Sequence, residues 1–181
     1  MSARQVEEIA MGLKESGYCF MWVLRHPGPE ATEVSAMLPD GFLKETKERG
    51  LIVPWCSQLK VLSHPSIGGF LSHCGSNSIL ESISSGIPLL GFPLGNDQYT
   101  NYKFLADKWK IGLRLKSNCN DEKVIIGREE IAEKVRRLME GEEIRRAAER
   151  LRDVAQVEVK KGGTSNKNLE IVANGLKTKL R

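Results

Sequence analysis

A chain of 181 residues with 40% apolar and 28% charged side chains is long enough for one domain with a sizeable core. Its net charge of +4 comes from Lys and Arg alternating with Glu and Asp, the pattern of solvated helix faces, which excludes the one-sided basic stripe of a nucleic-acid binder. Cys19, Cys56, Cys74 and Cys119 form no CxxC pair, only His26, His64 and His73 accompany them, and neither a signal-peptide core nor a membrane-length apolar run is present. The expectation is a soluble, cytoplasmic protein with reduced thiols, no metal, and neither a membrane nor a nucleic acid as partner.

In chain order, Val6, Ile9, Ala10 and Leu13 recur at helical spacing, and Gly17 ends that helix. "CFMWVL" (19–24) reads as a buried strand broken by "HPGPE" (26–30), and "GLIVPW" (50–55) as a second strand stopped by Pro54. "IGGFLS", "IPLLGFP" and "IGLRL" give three more, and between the strands "GFLKETKERG", "SNSILESISSG" and "NDQYTNYKFLADKW" carry helical patterns. This alternation implies βαβ units and an α/β fold with a parallel, doubly wound sheet. Beyond Asn118 the pattern turns helical over 128–181, in three helices separated by Gly141 and by Gly162–Gly163. Leu169, Val172, Leu176 and Leu180 form one apolar stripe on the last of them. One domain over 1–181 is expected. The chain opens on a helix where a parallel α/β layer normally opens on a strand, so either the sheet begins late or the sequence is a piece of something longer.

Ligands bind doubly wound sheets at the carboxyl ends of the strands. "IGGFLSHCGSNSILES" is such a junction of strand, glycine turn and helix. Ser76, Asn77 and Ser78 are favourable capping residues, and the helix start offers free N–H groups and a positive dipole end to a phosphate. Gly75 is expected to let an anion approach, and His73 to donate to a phosphate oxygen. Glu81, usually just solvated in such a place, gains interest one turn inside that helix. Cys74 beside His73 points to the opposite strand face and reads as a small buried hydrophobe. The G-x-G-x-x-G and G-x-x-x-x-G-K-[ST] phosphate loops are absent, which disfavours a dinucleotide-binding dehydrogenase.

From Trp55 to Gln98 the sequence resembles the signature box of plant secondary-product UDP-glycosyltransferases (family 1). Trp55, Gln58, His64, Gly68, Phe70, "HCG", Asn77–Ser78, Glu81, Gly86, Pro88, Pro93 and Asp97–Gln98 stand at the family's spacing, and "LPDGF" and "GGTSNKNLEIVANGL" extend the likeness along nearly the whole chain. The resemblance implies the C-terminal, donor-binding half of a GT-B fold, a Rossmann-like parallel sheet with C-terminal helices, here lacking its first strand. By resemblance, Trp55 stacks on the uracil, Cys56 meets the base edge through its backbone, Gln58 reaches the ribose and Glu81 accepts its hydroxyls. His73, Asn77 and Ser78, with Gly75, hold the diphosphate, while Asp97 and Gln98 bind the sugar, Gln98 being associated with glucose. Core packing is the bland alternative for Trp55, and a helix N-cap for Asp97–Gln98.

Two positions depart from the family pattern: Ser76 stands where the family carries a Trp beside the sugar, and Ser57 replaces a Pro. No catalytic residue is carried over, since the family's general base, its Asp partner and the acceptor pocket belong to an N-terminal domain. The expected activity is therefore hexose transfer, glucose by resemblance, from a UDP-sugar co-substrate to a small lipophilic or phenolic acceptor, without metal or further cofactor. The missing N-terminal domain is the implied partner in that reaction. The alternative is a truncated, non-catalytic UDP-binding module or decayed gene product.

Overall fold

The computed structural model describes residues 1–25, 34–115 and 125–179. The "HPGPE" break, His26, Cys119 and Leu180 lie outside the described residues. Helix α1 (Ala3–Ser16) starts where the Ser2 hydroxyl accepts the Gln5 N–H at 3.2 Å, and stops at Gly17, whose φ of 83° lies in the left-handed region glycine adopts without strain. It leads into β1 (Phe20–Val23), which pairs in parallel with β2 (Gly50–Val53) in the register Phe20↔Gly50 to Val23↔Val53. A second sheet is built from β3 (Phe70–Ser72), β4 (Leu89–Gly91) and β5 (Gly112–Arg114), all parallel, with β4 in the middle.

All five expected strands form, but one helical expectation shrinks. "GFLKETKERG" supplies only the single turn α2 (Phe42–Glu45). The Thr46 hydroxyl donates back to the Phe42 carbonyl at 2.8 Å, and the Arg49 and Gly50 N–H groups both close on the Thr46 carbonyl, turning the chain straight into β2. A short helix not anticipated from the pattern, α3 (Gln58–Leu62), follows β2. Helix α4 (Ser76–Ser85) follows β3, and α5 (Gln98–Lys103) follows β4 and widens into a π-helical turn over Phe104–Lys108. The C-terminal helices are α6 (Arg128–Glu140), α7 (Glu142–Val159) and α8 (Thr164–Lys179).

Apolar side chains from both sheets meet on one face. Ile9 and Leu13 of α1, Leu90 and Phe92 of the β4 segment, and Ile131 and Leu138 of α6 form one buried cluster, with Phe20, Trp22 and Leu71 packed against it. Fully burying such a side chain is worth about 1.5–3 kcal/mol, so this cluster holds the two sheets to a common helical layer. On the opposite face Cys74, Ile79, Leu89, Tyr102, Leu105 and Ile111 pack beneath Ala148 of α7. The strand expected to be buried at 19–24 is only partly so: Phe20, Met21 and Trp22 are half-buried and Val23 is exposed, whereas every residue of β4 is buried. The reason is pairing, because β4 has a neighbour on each side and β1, among the described residues, only on one. On α8, Leu169, Val172 and Leu176 stand exposed.

Candidate nucleotide-sugar site

The loops after β2, β3 and β4 all leave the carboxyl ends of parallel strands. Gln58, just past β2, bonds to residues of α4, just past β3, so the two sheets present these ends on the same side.

At the centre is the β3–α4 junction. At the end of β3 Ser72 is buried, and just past it His73 is exposed and Cys74 fully buried, so the two side chains of the His73–Cys74 pair part. The chain then turns through Cys74, whose φ of 64° is uncommon for a side chain with a Cβ. Three contacts hold it there. Its N–H donates to the Ser72 hydroxyl at 3.2 Å, its thiol lies 3.5 Å from the Ser72 carbonyl, and its own carbonyl accepts from Asn101 Nδ2 at 3.1 Å. Burial pushes the Cys74 thiol up to about 11, so at neutral pH it is a protonated packing residue and no nucleophile.

The N-cap of α4 is Gly75, with φ −63° and ψ 145°, and not Ser76, Asn77 or Ser78, the capping residues expected. Ser76 is therefore the first helical residue, exposed, with its hydroxyl past the capping position. The correction has a chemical consequence. Gly75 brings no side-chain cap, and the first helical bond is Ile79 N–H to the Gly75 carbonyl at 3.1 Å. The N–H groups of Ser76, Asn77 and Ser78 are thus left without an intrahelical acceptor at the positive end of a ten-residue helix. Glycine at 75 also has a packing reason: a Cβ there would collide with His73 Nε2. The imidazole thus packs against Gly75, the residue at the helix start.

Next to this, Gln58 Nε2 donates to Glu81 Oε2 at 2.8 Å and to the Ser78 hydroxyl at 3.2 Å. Ser78 and Glu81 are one turn apart on the same face of α4, so one amide fixes both. The carboxylate is half-buried, and among the described residues no donor reaches its second oxygen, Oε1. Trp55 stands 65% exposed in the loop before α3, which rules out the core-packing alternative for it. Cys56 beside it is half-buried.

The third loop carries Asp97 and Gln98. Gln98 Oε1 accepts the Leu94 N–H at 2.7 Å, which directs the amide nitrogen away from the backbone. Asp97 occupies the N-cap of α5 without capping it, since its carboxylate accepts from Asn101 Nδ2 at 2.9 Å instead. Asn101 was not legible as a site residue from sequence. The two hydrogens of its amide tie the Asp97 carboxylate to the Cys74 carbonyl and lock the third loop to the second. Its only sequence trace is the i, i+4 spacing from Asp97. Ser57, where the resemblance expects Pro, has φ −76°, within the range proline imposes. Among the described residues no group of three metal-ligating side chains occurs, and no helix is long and apolar enough to cross a membrane.

This set of groups suits a ligand that combines a flat ring, vicinal hydroxyls and a diphosphate. The exposed indole offers a stacking face, the fixed carboxylate an acceptor for hydroxyls, and the uncapped helix start beside an imidazole an anion site.

Comparison with known proteins agrees with this architecture. A model of the UDP-glucoronosyl and UDP-glucosyl transferase family matches residues 1–154. Mogroside I-E synthase of Siraitia grosvenorii is 42% identical over 94% of this chain and 36% of its own length. UDP-glycosyltransferase 74E2 of Arabidopsis thaliana is 46% identical over 91% of this chain and 35% of its own length. Among solved structures, Phytolacca americana UGT2 complexed with UDP-2fluoro-glucose and pterostilbene superposes with a TM-score of 0.87 at 40% identity, over 97% of this chain and 39% of that one. A Siraitia grosvenorii transferase in complex with UDP superposes with a TM-score of 0.89 at 32% identity, over 98% of this chain and 40% of that one. The chain thus spans little more than a third of the length of the curated relatives it matches.

Proposed function

The chain belongs to the UDP-glucoronosyl and UDP-glucosyl transferase family, and on that premise we propose that it forms the donor-binding half of a plant GT-B glycosyltransferase. The reaction is transfer of a hexose, glucose by the presence of Gln98, from a UDP-sugar to a small lipophilic or phenolic acceptor. The observation that carries this reading is the His73 imidazole packed against Gly75 at the uncapped start of α4, on the same edge as the Gln58–Glu81 pair and the exposed Trp55.

Each group has a role that follows from its chemistry. Trp55 stacks on the uracil, a contact worth about 1–3 kcal/mol, and Cys56 presents backbone groups to the base edge. Glu81, already oriented by Gln58, accepts the ribose hydroxyls through its open oxygen. His73 and the N–H groups of Ser76, Asn77 and Ser78 neutralise the diphosphate, the leaving group, as charge builds on it, the kind of fixed electrostatic stabilisation that lowers a transfer barrier. Gly75 keeps the imidazole in place. Asp97 and Gln98 take the sugar hydroxyls from the far side. The general base that activates the acceptor hydroxyl must come within about 3 Å of it, and that role falls outside the residues of this site. In this reading no metal takes part.

Titration calorimetry on the 181-residue chain with UDP, ADP and NAD tests the proposal. UDP alone is expected to bind, and Glu81→Gln to weaken it through the ribose. Equal binding of UDP and ADP would remove the uracil site. UDP binding with no sugar transfer to a panel of phenols and alcohols fits a donor half without its base, and robust turnover by the chain alone would overturn that division of labour.

A further inference from the structure

The loop that carries Asp97 and the turn that carries Cys74 and Gly75 follow different strands, β4 and β3, and one side chain joins them. Asn101, half-buried on α5, uses both hydrogens of its amide: Nδ2 donates to Asp97 Oδ2 at 2.9 Å and to the Cys74 carbonyl at 3.1 Å. Its own backbone N–H bonds the Asp97 carbonyl at 3.0 Å, so Asp97 is held by the main chain and the side chain of the same residue.

Each bond controls a group that would otherwise move. Asp97 is exposed, and among the described residues no other donor reaches its carboxylate. Without Asn101 that carboxylate is free to exchange rotamers; with it, one oxygen is fixed and Oδ1 stays open. Cys74 sits at φ 64°, a conformation that a residue with a Cβ keeps only where its surroundings over-determine it. Here the Ser72 hydroxyl takes its N–H and Asn101 takes its carbonyl, so the turn is clamped from both sides. Removing Asn101 frees one end of the Cys74–Gly75 peptide, from which α4 begins.

We propose that Asn101 is a positioning residue for the donor sugar. It acts through Asp97 and Cys74, and it holds the carboxylate that meets the sugar at a fixed separation from the turn that meets the diphosphate. A nucleotide sugar spans both groups, so fixing their relation beforehand removes an ordering cost from binding. The inference rests on the nucleotide-sugar reading and adds to it the residue on which sugar selection depends.

The test is calorimetric titration of the 181-residue chain with UDP and with UDP-glucose, the ratio of the two dissociation constants isolating the sugar. Asn101→Ala is expected to lower the preference for UDP-glucose about three- to tenfold, and Asp97→Ala at least as much. In the double variant the preference should fall no further than in Asp97→Ala, because a residue that reaches the sugar through Asp97 has nothing left to act on. UDP itself should weaken about two- to fivefold on loss of Asn101, with Asp97 present or absent, through the Cys74 turn. Asn101→Asp keeps the size, removes both donors and sets a like charge against Asp97; it should lose at least as much sugar preference as Asn101→Ala. Melting curves identify the variants that fold. An unchanged sugar preference in a folded variant would reduce Asn101 to a brace between loops, and losses that add in the double variant would mean that it acts without Asp97. Either result overturns the proposal. A parent chain that binds no UDP would instead remove the nucleotide reading, and this inference with it.

Discussion

Replacing Gly75 by Ala isolates the phosphate grip from the fold. The backbone at 75 is extended, with φ −63° and ψ 145°, so alanine fits it without strain. The nearest atoms its methyl group meets are those at the far end of the His73 ring, which must swing away from Gly75. The cost to stability is that of Gly to Ala at an N-cap, about half a kcal/mol, or a melting shift of roughly 1–2 °C at this chain length. The cost to UDP is larger, because a hydrogen bond to a charged phosphate is worth about 1.5–3 kcal/mol, a weakening of roughly 12- to 150-fold. His73→Ala removes the same contact, so the two losses must not add: the double variant should bind UDP about as weakly as either single one. Calorimetric titration of the four proteins, with melting curves as a control for folding, measures both quantities. Unchanged UDP affinity in Gly75→Ala, or losses that sum in the double variant, would refute the claim that His73 acts at the helix start.

Three further outcomes follow from the same geometry. Ser76, exposed at the first position of α4, offers the sugar no aromatic wall; Ser76→Trp should tighten UDP-glucose by about 0.5–1.5 kcal/mol and leave UDP within about twofold, as read by parallel titrations. Ser57 already has a proline-compatible φ, and its carbonyl rather than its N–H makes the helical bond to Val61, so Ser57→Pro should raise the melting temperature by roughly 1–3 °C. At the α1–α6 contact, the Arg128 guanidinium bonded to Glu8 holds that carboxyl below its usual value. A depressed carboxyl adds stability in full above its unfolded value near 4.5, and the contribution is lost as pH falls through the folded value. Melting curves between pH 6 and 3 should accordingly show that part of the acid loss in the parent chain and not in Glu8→Gln.

The strands were legible because each is a short apolar run between Gly, Pro or polar stops, and the long C-terminal helices because their periodicity lasts several turns. What escaped depends on neighbours distant in sequence. The half-burial of β1 is decided by which strands flank it, and nothing in "CFMWVL" encodes that. The five residues of α3 are too few to display a period. Capping propensity favoured Ser76, yet the extended backbone at Gly75 and the left-handed turn at Cys74 set the helix start, and a Cβ at 75 would displace the His73 ring packed there. Asn101 ties Cys74 to Asp97 through a contact spanning 27 residues, invisible to any local pattern. The residues carried from the family likeness fall on three adjacent loops. Their partners, Gln58 on Glu81 and Leu94 on Gln98, emerged only from the fold.

The most direct test is a crystal structure of the chain with UDP. The account predicts the uracil flat on the Trp55 indole, the ribose hydroxyls on Glu81, and the diphosphate oxygens about 2.7–3.2 Å from His73 Nε2 and the first N–H groups of α4. UDP bound away from Trp55 and the start of α4, or no bound nucleotide at millimolar UDP, would contradict it.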